Sequence, residues 1–500
     1  MTSQSLYFRQ ELQKSSMGYI KTENIKVLIG SWNVNAKFPS HTDILNWVLN
    51  RSERPEIIVV GIQEMISLSP TNVIGSTVVK SLSSDNATKW SDIILSTLNS
   101  QNQTSRYELI ALEHMVGLCI MVLADASILE YLSDISIGNL ATGSHGYLGN
   151  KGAVAVHMKV CDSAVVFVNC HFAAHQKDVE KRNEDYRNII SKLTFVDNTV
   201  SDAILGASQA GSPVVAEDIT KCREDITSIQ QRIAALRATM ADPNADPPTP
   251  TPASAVTSGS STVLNELKTY TIHDHDVIFW MGDLNYRLTD DIDIHQALDA
   301  ISAGQAYDLL YHDQLTIEKD TDEIFHDFHE GMVAFNPTYK FIPGTSEYDA
   351  RPEKKMRVPA WCDRILWRIG RGRDLALKEK QEENKQLLLR WVEAQEKMSN
   401  SGDREAAGLV GNDNSAYIYN LPVEPVVEAV ELMRYEAVEP PNMSDHKPIR
   451  GFFNMRVRRL DHAQKHVTMM KLHLEWEISK ENEELKQKLT NSIVNSTITS

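Results

Sequence analysis

Polar side chains that could do chemistry follow the C-terminal ends of the apolar runs in this sequence. The clusters are Ser31-Trp32-Asn33-Val34-Asn35, Gln63-Glu64, Asn169-Cys170-His171 with His175, Gly282-Asp283-Leu284-Asn285, Trp361-Cys362-Asp363-Arg364 and Ser444-Asp445-His446. Ligand and catalytic groups are expected at strand ends, on loops that a rigid sheet holds. A single cluster is typical of an ordinary turn, but so many in one chain favour a shared site.

The oxygen-bearing side chains in these clusters suit a magnesium site. Glu64, Asn33 and Asp445 offer carboxylate and amide oxygens, which are the hard ligands that Mg²⁺ prefers. No Cys/His spacing in the chain favours zinc.

The remaining polar groups suit acid–base chemistry. Asp363 and His446 can pair, so that the carboxylate fixes the tautomer of the imidazole. Asp283 and Asn285, two residues apart, can supply a base and an amide donor to the same small space. Because no Ser or Cys nucleophile stands beside a base, the set indicates direct attack of water on a phosphate ester.

The distribution of charge indicates an anionic substrate. The 500 residues carry 50 Lys+Arg against 67 Asp+Glu, a formal net charge of −17, which argues against bulk binding to nucleic acid or to an anionic membrane. Between Gly344 and Arg373 the balance reverses to a local +4, with Arg351, Lys354, Lys355, Arg357, Arg364, Arg368, Arg371 and Arg373. This segment predicts a phosphate-binding rim. The glycine-rich stretch Gly146 to Gly152 contains a lysine but lacks the nucleotide P-loop pattern.

The elements that must position these groups are short β-branched runs alternating with helix-like stretches. Strands are predicted at Lys26–Gly30, Ile57–Gly61, Val116–Leu123, Ala153–His157, Ala164–Val168, Asp276–Trp280, Ala360–Trp367 and before Arg450. Helices are predicted at Thr42–Asn50 and Asp92–Leu98, each opened by a capping Thr or Asp. The alternation predicts an α/β sandwich.

Two stretches interrupt this pattern. Residues 198–264 combine a helical pattern with a Pro, Ser, Thr and Ala-rich loop, and residues 374–418 begin with a charged helical pattern. We expect an N-terminal extension over 1–23, one catalytic domain over 24–455 that contains both inserts, and a helical C-terminal tail over 456–500. Either insert could bind a protein partner, although packing of the second on its own domain is the simpler expectation.

The sequence also predicts a cytoplasmic protein with reduced thiols. Its five cysteines are widely spaced without a CxxC pair, no secretory signal is visible, and the longest apolar run, Met115 to Ala124, is too short to span a bilayer. Any membrane contact would be peripheral. Phe335, Phe341 and Ile342 could insert into a membrane, and ordinary packing within their loop is an equally open interpretation.

A set of motifs resembles a known family, the inositol polyphosphate 5-phosphatases, within the DNase I-like metal-dependent phosphoesterases. The motifs are WNVN (32–35), GIQE (61–64), GYLGNKGAV (146–154), CHFAAH (170–175), RNEDY (182–186), WMGDLNYR (280–287), NPTYKF (336–341), RVPAWCDRILW (357–367) and SDHKPI (444–449). The resemblance covers about residues 24–455 apart from the inserts. It implies a four-layer sandwich of two mixed β-sheets flanked by helices.

The resemblance also implies roles for residues at the reacting centre. Glu64 matches the principal Mg²⁺ ligand, with Asn33 at or near the metal and Asp445 close by. Asp283 would orient or deprotonate the attacking water, and His446, paired with Asp363, would contact the phosphate. Which of Asp283 and His446 takes the proton stays open.

The resemblance places further residues on the substrate. His171 and Asn285 would hold the scissile phosphate. Tyr339, Lys340, Lys355 and Arg357 match the motif that grips the neighbouring 4-phosphate, and Asn150 and Lys151 match a loop facing the inositol ring or its 1-phosphate. The segment YDARPEKKMR (348–357) is longer than the usual form, which leaves the choice between Lys354 and Lys355 open.

These observations predict a Mg²⁺-dependent phosphatase that hydrolyses the 5-phosphate of phosphoinositides such as phosphatidylinositol 4,5-bisphosphate, with soluble inositol polyphosphates as further candidates. The alternatives are a catalytically silent phosphoinositide-binding scaffold and, within the same superfamily, a nuclease or a sphingomyelinase. The cationic segment and the TYK sequence at 338–340 argue against the last two, so no nucleic-acid partner is expected.

Overall fold

The computed structural model describes residues 18–49, 54–67, 76–100, 105–143, 148–196, 269–354, 356–370, 429–473, 475–476 and 478–480. Both predicted inserts, 198–264 and 374–418, lie outside the described residues. The chain divides into two units. One comprises Thr22–Asn198 and Lys268–Arg459, and the other comprises Met1–Lys21, Thr199–Leu267 and Leu460–Ser500.

The larger unit is built on two mixed β-sheets. The first sheet contains β1 (Ile20–Asn33), β2 (Ile57–Gln63), β3 (Tyr107–Met115), β4 (Leu118–Asp125), β13 (Ala429–Ala437) and β14 (Ile449–Leu460). The second contains β5 (Leu132–Gly143), β6 (Leu148–Val160), β7 (Ser163–His171), β10 (Val277–Asp283), β11 (His329–Glu330) and β12 (Asp363–Ile369). The strand order is β13-β14-β1-β2-β4-β3 in the first sheet and β11-β12-β10-β7-β6-β5 in the second. A separate ribbon pairs β8 (Thr194–Val196) with β9 (Thr269–Thr271).

Helices cover the outer faces of both sheets. They are α1 (His41–Val48), α2 (Ser76–Asn99), α3 (Val179–Lys192) and α5 (Gln314–Asp320), whereas α4 (Ile294–Ser302) packs in a separate apolar cluster with Leu288 and Trp361. Trp47 of α1 and Trp90 of α2 pack on the outer face of the first sheet, and Tyr186 and Ile189 of α3 pack on that of the second. The layers therefore follow the order helix, sheet, sheet, helix, which is the four-layer sandwich that the sequence predicted.

The inner faces of the two sheets change from apolar to polar along each central strand. Side chains of a strand alternate between its two faces, so every second residue points between the sheets. The inward series are Val27-Ile29-Ser31-Asn33 in β1, Ile57-Val59-Gly61-Gln63 in β2, Val165-Phe167-Asn169-His171 in β7 and Val277-Phe279-Met281-Asp283 in β10. The apolar members form a buried core, and the polar members all lie at one end of it.

The structure refines several predicted boundaries. Ser40 caps α1 with a capping box, so the helix begins before Thr42. Asp92 is interior to α2 and does not open a helix. The predicted strand beginning at Ala360 starts at Asp363, and the one beginning at Val116 starts at Leu118.

Strands β3, β5, β8, β9 and β11 were not predicted. The two longest of these, β3 and β5, mix buried with exposed or half-exposed residues and so lack a continuous apolar run. The strand predicted before Arg450 is wrong in position, since β13 ends at Ala437 and β14 begins only at Ile449. At the ends of the predicted catalytic domain, β1 begins at Ile20, before residue 24, and β14 continues to Leu460, past residue 455. Residues 462–473 are helical; the domain boundaries otherwise stay a prediction.

Candidate active site

Strand register brings the predicted catalytic residues together at the polar end of the inner faces. Asp283 of β10 pairs with His171 of the parallel strand β7 and with Asp363 of the antiparallel strand β12. In the other sheet, Asn33 of β1 pairs with Gln63 of β2. Asp363 is the first residue of its strand, so an antiparallel strand delivers its side chain to the same edge as the ends of the parallel strands.

A hydrogen-bonded pair links the last cluster of the chain to β12. His446 Nδ1 lies 2.9 Å from Asp363 Oδ2, which confirms the expected pairing of these residues. Thr338 Oγ1 donates a hydrogen bond of 2.6 Å to the same oxygen. Because all of these side chains are buried, the carboxylate holds the imidazole in one orientation.

Asp283 is the centre of the cluster. Its Oδ2 accepts a hydrogen bond from Asn33 Nδ2 at 3.0 Å and lies 3.3 Å from His171 Nε2 and 3.9 Å from His446 Nε2. Its Oδ1 accepts from the backbone N–H of Asn285 at 3.0 Å. Burial opposes ionisation of Asp283, but His446, His171 and Lys151 favour it and hold the pKa of this carboxyl well below its usual range.

The charge of His446 follows from its two carboxylate neighbours. Burial alone would lower its pKa, but Asp363 and Asp283 together raise the pKa of His446 to about 9. At neutral pH the ring is therefore an imidazolium held between two aspartates. Asp283, Asp363 and His446 are also close enough for their ligand atoms to surround a metal ion, but the hydrogen bond between His446 and Asp363 indicates a proton-handling group.

The predicted metal ligands line the same space. Glu64 follows the end of β2 with a left-handed φ of 52°, and its Oε1 lies 3.8 Å from His171 Nε2 with the side chain 43% exposed. Ser444 Oγ donates to the carbonyl of Asn33 at 2.7 Å, which fixes the segment carrying Asp445 next to β1. Glu64 is open to water, whereas Asn33 is buried. Two carboxylates and an amide oxygen are ligand types that fit Mg²⁺, which keeps part of its hydration shell.

Lys151 reaches the reacting centre from β6. Its Nζ lies 2.5 Å from His171 Nε2. Burial lowers the pKa of Lys151 to about 8, although Asp283 and Glu64 oppose this shift. Asn150 is half-buried beside it. A cleft of about 860 Å³ opens next to Lys151, between the end of β5 and α3, and is lined also by His175, Lys181 and Asp185.

Of the predicted 4-phosphate residues, two contact the site directly. The ring of Tyr339 lies 4.5 Å from the ring of His446, and Lys340 Nζ lies 3.4 Å from Asp445 Oδ2. Arg357 is half-buried ahead of β12, and Lys355 lies outside the described residues.

Sequence reasoning missed Arg287. Its guanidinium lies 4.2 Å from the centre of the Tyr339 ring and bonds the carbonyl and side-chain oxygens of Asn285. Its place at the end of the WMGDLNYR motif (280–287) was the available signal.

The predicted cationic rim is partly wrong. Arg364 is buried and paired with Asp313 at 2.7 Å and Glu330 at 2.6 Å, so its charge is neutralised inside the domain. Arg368 is buried against the ring of Phe328, and Arg351 pairs with Asp349. Lys354 is exposed and Arg357 half-buried, whereas Lys355, Arg371 and Arg373 lie outside the described residues.

The aromatic residues proposed for membrane insertion are packed into the domain. Phe341 is buried, stacks on Tyr348 at 4.3 Å and has Lys447 Nζ 4.5 Å from its ring. Phe335 packs against Tyr435 at 5.1 Å. These contacts favour packing for Phe335 and Phe341, whereas Ile342 is half-buried. Among the described residues, no helix has the length and apolar character needed to cross a membrane, and Cys119, Cys161, Cys170 and Cys362 are free thiols.

Two mixed sheets that enclose an acid–base cluster at one end of their inner faces define a DNase I-like α/β sandwich. The chain belongs to endonuclease/exonuclease/phosphatase family 2, whose model matches residues 30–390. The family match agrees with the class of fold that the motifs predicted.

The chain is also similar to individual proteins with known names. The chain is 26% identical over 375 residues to synaptojanin of Caenorhabditis elegans, covering 72% of this chain and 26% of that protein. It is 27% identical over 360 residues to the type II inositol 1,4,5-trisphosphate 5-phosphatase of Mus musculus, covering 72% and 28%. These matches confirm the resemblance to inositol polyphosphate 5-phosphatases, and the chain spans about a quarter of the length of these relatives.

A solved structure confirms the fold. The inositol polyphosphate 5-phosphatase domain of SPsynaptojanin, in complex with inositol (1,4)-bisphosphate and calcium ion, aligns with a TM-score of 0.62 at 21% identity and covers 97% of this chain and 100% of that one.

Proposed function

We propose that this chain is a phosphoric monoester hydrolase that removes the 5-phosphate from phosphoinositides such as phosphatidylinositol 4,5-bisphosphate. Soluble inositol polyphosphates with the same ring phosphates would be further substrates. The observation that carries the proposal is the position of His446, bonded to Asp363 at 2.9 Å and 3.9 Å from Asp283. The names of the relatives described above support the substrate class.

Glu64, Asn33 and Asp445 would hold Mg²⁺. When bound, Mg²⁺ supplies positive charge that polarises the phosphate and stabilises the leaving oxygen. The other steps belong to side chains of this protein. Asp283 is positioned to orient the attacking water and accept its proton, since Asn33 and Asn285 fix its two oxygens.

The phosphate would be held by donors that surround Asp283. His446 can donate through Nε2, because its Nδ1 is engaged by Asp363. His171, Asn285 and Lys151 would contribute further contacts, which act on the charge that develops in the transition state. His446 is protonated at neutral pH and could accept the proton of the water only after losing its own, so Asp283 is the favoured acceptor. The pH profile of Asp283→Asn activity distinguishes the two.

Recognition of a second phosphate would come from the Tyr339–Lys340 segment. Lys340 lies 3.4 Å from Asp445, so a cation for the neighbouring phosphate stands beside the proposed metal site. Lys355 and Arg357 would complete this subsite, and Asn150 would face the ring. Binding energy from the second phosphate can then be used to align the first one for attack.

The decisive experiment measures phosphate release from position-defined inositol phosphates and from lipid vesicles, in Mg²⁺. We expect the wild-type protein to release only the 5-phosphate, and we expect the variants His446→Ala and Glu64→Ala to lose this activity. Turnover that survives both changes would overturn the proposed site. Normal substrate binding without turnover in the wild type would favour a silent scaffold, and nicking of plasmid DNA would favour a nuclease.

We further propose a cytoplasmic protein that meets its lipid substrate through peripheral contact with the cytosolic face of a membrane. The inserts 198–264 and 374–418 are candidates for protein partners. Sedimentation with vesicles that contain the bisphosphate lipid, compared with neutral vesicles, tests the membrane contact; equal sedimentation with both would contradict headgroup recognition.

A further inference from the structure

Two buried amides, Gln63 and Asn169, join the two sheets directly beneath the candidate active site. Gln63 Nε2 donates to Asn169 Oδ1 at 2.6 Å and to Ser31 Oγ at 3.1 Å. Asn169 Nδ2 donates to the carbonyls of Ile62 at 3.1 Å and Cys119 at 2.8 Å. Asn169 of β7 thus bonds β2 and β4 of the other sheet, and Gln63 of β2 is also tied to β1 of its own sheet. We call this set of hydrogen bonds the inter-sheet lock.

The orientation of both amides follows from their partners. Asn169 must turn its NH₂ group toward two backbone carbonyls, which can only accept hydrogen bonds, so its oxygen faces Gln63. Gln63 must then present its own NH₂ group. Each amide therefore determines the orientation of the other, and neither can flip without placing two acceptors in contact.

Residue 61 is glycine because of the lock. A Cβ atom at Gly61 would stand 2.7 Å from Asn169 Oδ1, closer than two such atoms can approach. Asn169 thus occupies the space that a side chain on β2 would fill, and the two sheets approach each other closely at this level.

The lock lies immediately below the proposed metal and phosphate residues. Glu64 directly follows Gln63, and His171 comes two residues after Asn169 on the same face of β7. Gln63, which carries Glu64, ends a strand of the first sheet, and Asn169 and His171 lie in a strand of the second sheet. The distance between Glu64 and His171, 3.8 Å between their nearest side-chain atoms, therefore depends on how the sheets are held together at the lock.

We propose that Gln63 and Asn169 are positioning residues that set the placement of Glu64 against the opposite sheet and thereby the affinity of the site for a divalent cation. The proposal rests on the proposed function, in which Glu64 binds Mg²⁺. Partners that orient a metal ligand affect affinity without touching the metal, and their loss typically costs about 10–100-fold in binding.

The test measures binding of Mn²⁺, used as the probe in place of Mg²⁺, by calorimetry on the full chain without substrate. The variants are Gln63→Met, Asn169→Leu and the double variant. We expect the dissociation constant to rise about 10-fold or more in each single variant. The double variant should be little worse than either, because the two amides act as one unit.

A matched control separates positioning from stability. Asn183 is an equally buried amide on α3 that bonds Tyr286 and Glu318, and Asn183→Leu should lower the melting temperature while leaving Mn²⁺ affinity unchanged. If the lock variants lose thermal stability like this control but keep Mn²⁺ affinity within about twofold, the lock is only structural and the proposal is wrong.

Milder changes cover the case in which Asn169→Leu does not fold. Ser31→Ala removes one acceptor of Gln63, and Gly61→Ala pushes Asn169 away, so both should weaken Mn²⁺ binding, and unchanged affinity in both overturns the proposal. The results can overturn the lock and the proposed function separately. If the lock variants bind Mn²⁺ more weakly but the wild-type protein releases no phosphate, only the proposed function is wrong. If the lock variants bind Mn²⁺ as the wild type does and the wild type releases phosphate normally, only the lock proposal is wrong.

Discussion

Asn33 and Asp283 join the two sheets through a buried hydrogen bond of 3.0 Å, with Asn33 Nδ2 donating to Asp283 Oδ2. One residue ends a strand of the first sheet, and the other ends a strand of the second. A residue proposed to bind the metal and one proposed to handle the water are therefore in direct contact. A substitution at Asn33 or Asp283 should therefore alter the position of the other side chain.

His446→Gln should lower kcat for 5-phosphate release by about 10²–10⁴-fold, the usual contribution of a group that transfers or shares a proton. The change removes the imidazolium that lies between Asp363 and Asp283. Phosphate release at saturating substrate is the measurement. His312, which pairs with Asp291 on the surface, supplies the control His312→Gln, and activity of the His446 variant within tenfold of this control would contradict the assignment.

Removal of divalent cations with EDTA should abolish phosphate release, and added Mg²⁺ should restore it. Glu64→Gln keeps the shape of the side chain but removes the charge, so we expect half-maximal activity to need at least about 10-fold more Mg²⁺. The measurement is a Mg²⁺ titration of initial rates. Glu108→Gln, at an exposed position of β3, should follow the wild-type curve. Identical titrations for all three proteins would remove Glu64 from the metal site.

Lys340→Met should discriminate between substrates. The proposed contact is with the phosphate next to the scissile one, so KM for a 4,5-bisphosphate should rise by about tenfold or more while kcat/KM for a 5-monophosphate changes little. The exposed Lys89 on α2 provides the control Lys89→Met. Equal losses on both substrates would mean that Lys340 acts at the reacting phosphate or through Asp445.

Stability should fall on mild acidification because of His275. Burial and then His157 lower the pKa of His275 from 6.5 to about 4. Its Nδ1 donates to the carbonyl of Ile272, so its Nε2 accepts from His157. Between these pKa values the unfolded chain binds a proton that the folded chain excludes, so the free energy of unfolding should decrease from pH 6.5 to pH 4 by about 3 kcal/mol at most.

Denaturant unfolding at several pH values measures this slope. His275→Gln retains a side chain able to hydrogen-bond, so the variant should show a shallower dependence in the same window. His295 is exposed on α4, and His295→Gln should keep the wild-type slope. A slope unchanged by His275→Gln would assign the acid sensitivity to other groups.

The sequence predicted the central strands and the catalytic clusters well for one physical reason. Strands such as β2 and β10 are buried on both faces, which produces the apolar runs that sequence patterns detect. The polar residues that end these runs stand out against that background. Asp283 and His171 were visible for the same reason, although their contact depends on strand register, which the sequence does not show.

The errors arise where burial, not residue type, decides the outcome. Arg364 counted as a surface cation because a charge count takes no account of partners such as Asp313 and Glu330, distant in sequence. For Phe341 the sequence left membrane insertion and packing equally open, because its packing against Tyr348 cannot be read from the sequence. Gln63 and Asn169 were noted without a role, since only the distance between sheets shows that they meet.

The Ser444–His446 segment of the site is hydrogen-bonded to β1, although the two lie more than 400 residues apart in the sequence. Trp32 Nε1 donates to the carbonyl of His446, 414 residues later, and Ser444 bonds Asn33 across 411 residues. At about 5–20 residues per second of synthesis, roughly 20–80 s separate the appearance of these partners on the ribosome. The nascent chain therefore carries β1 without its partner β14 until the segment from Ser444 onward has been made. Catalytic competence should appear only after that point, and shorter nascent chains should depend on chaperones rather than display partial activity.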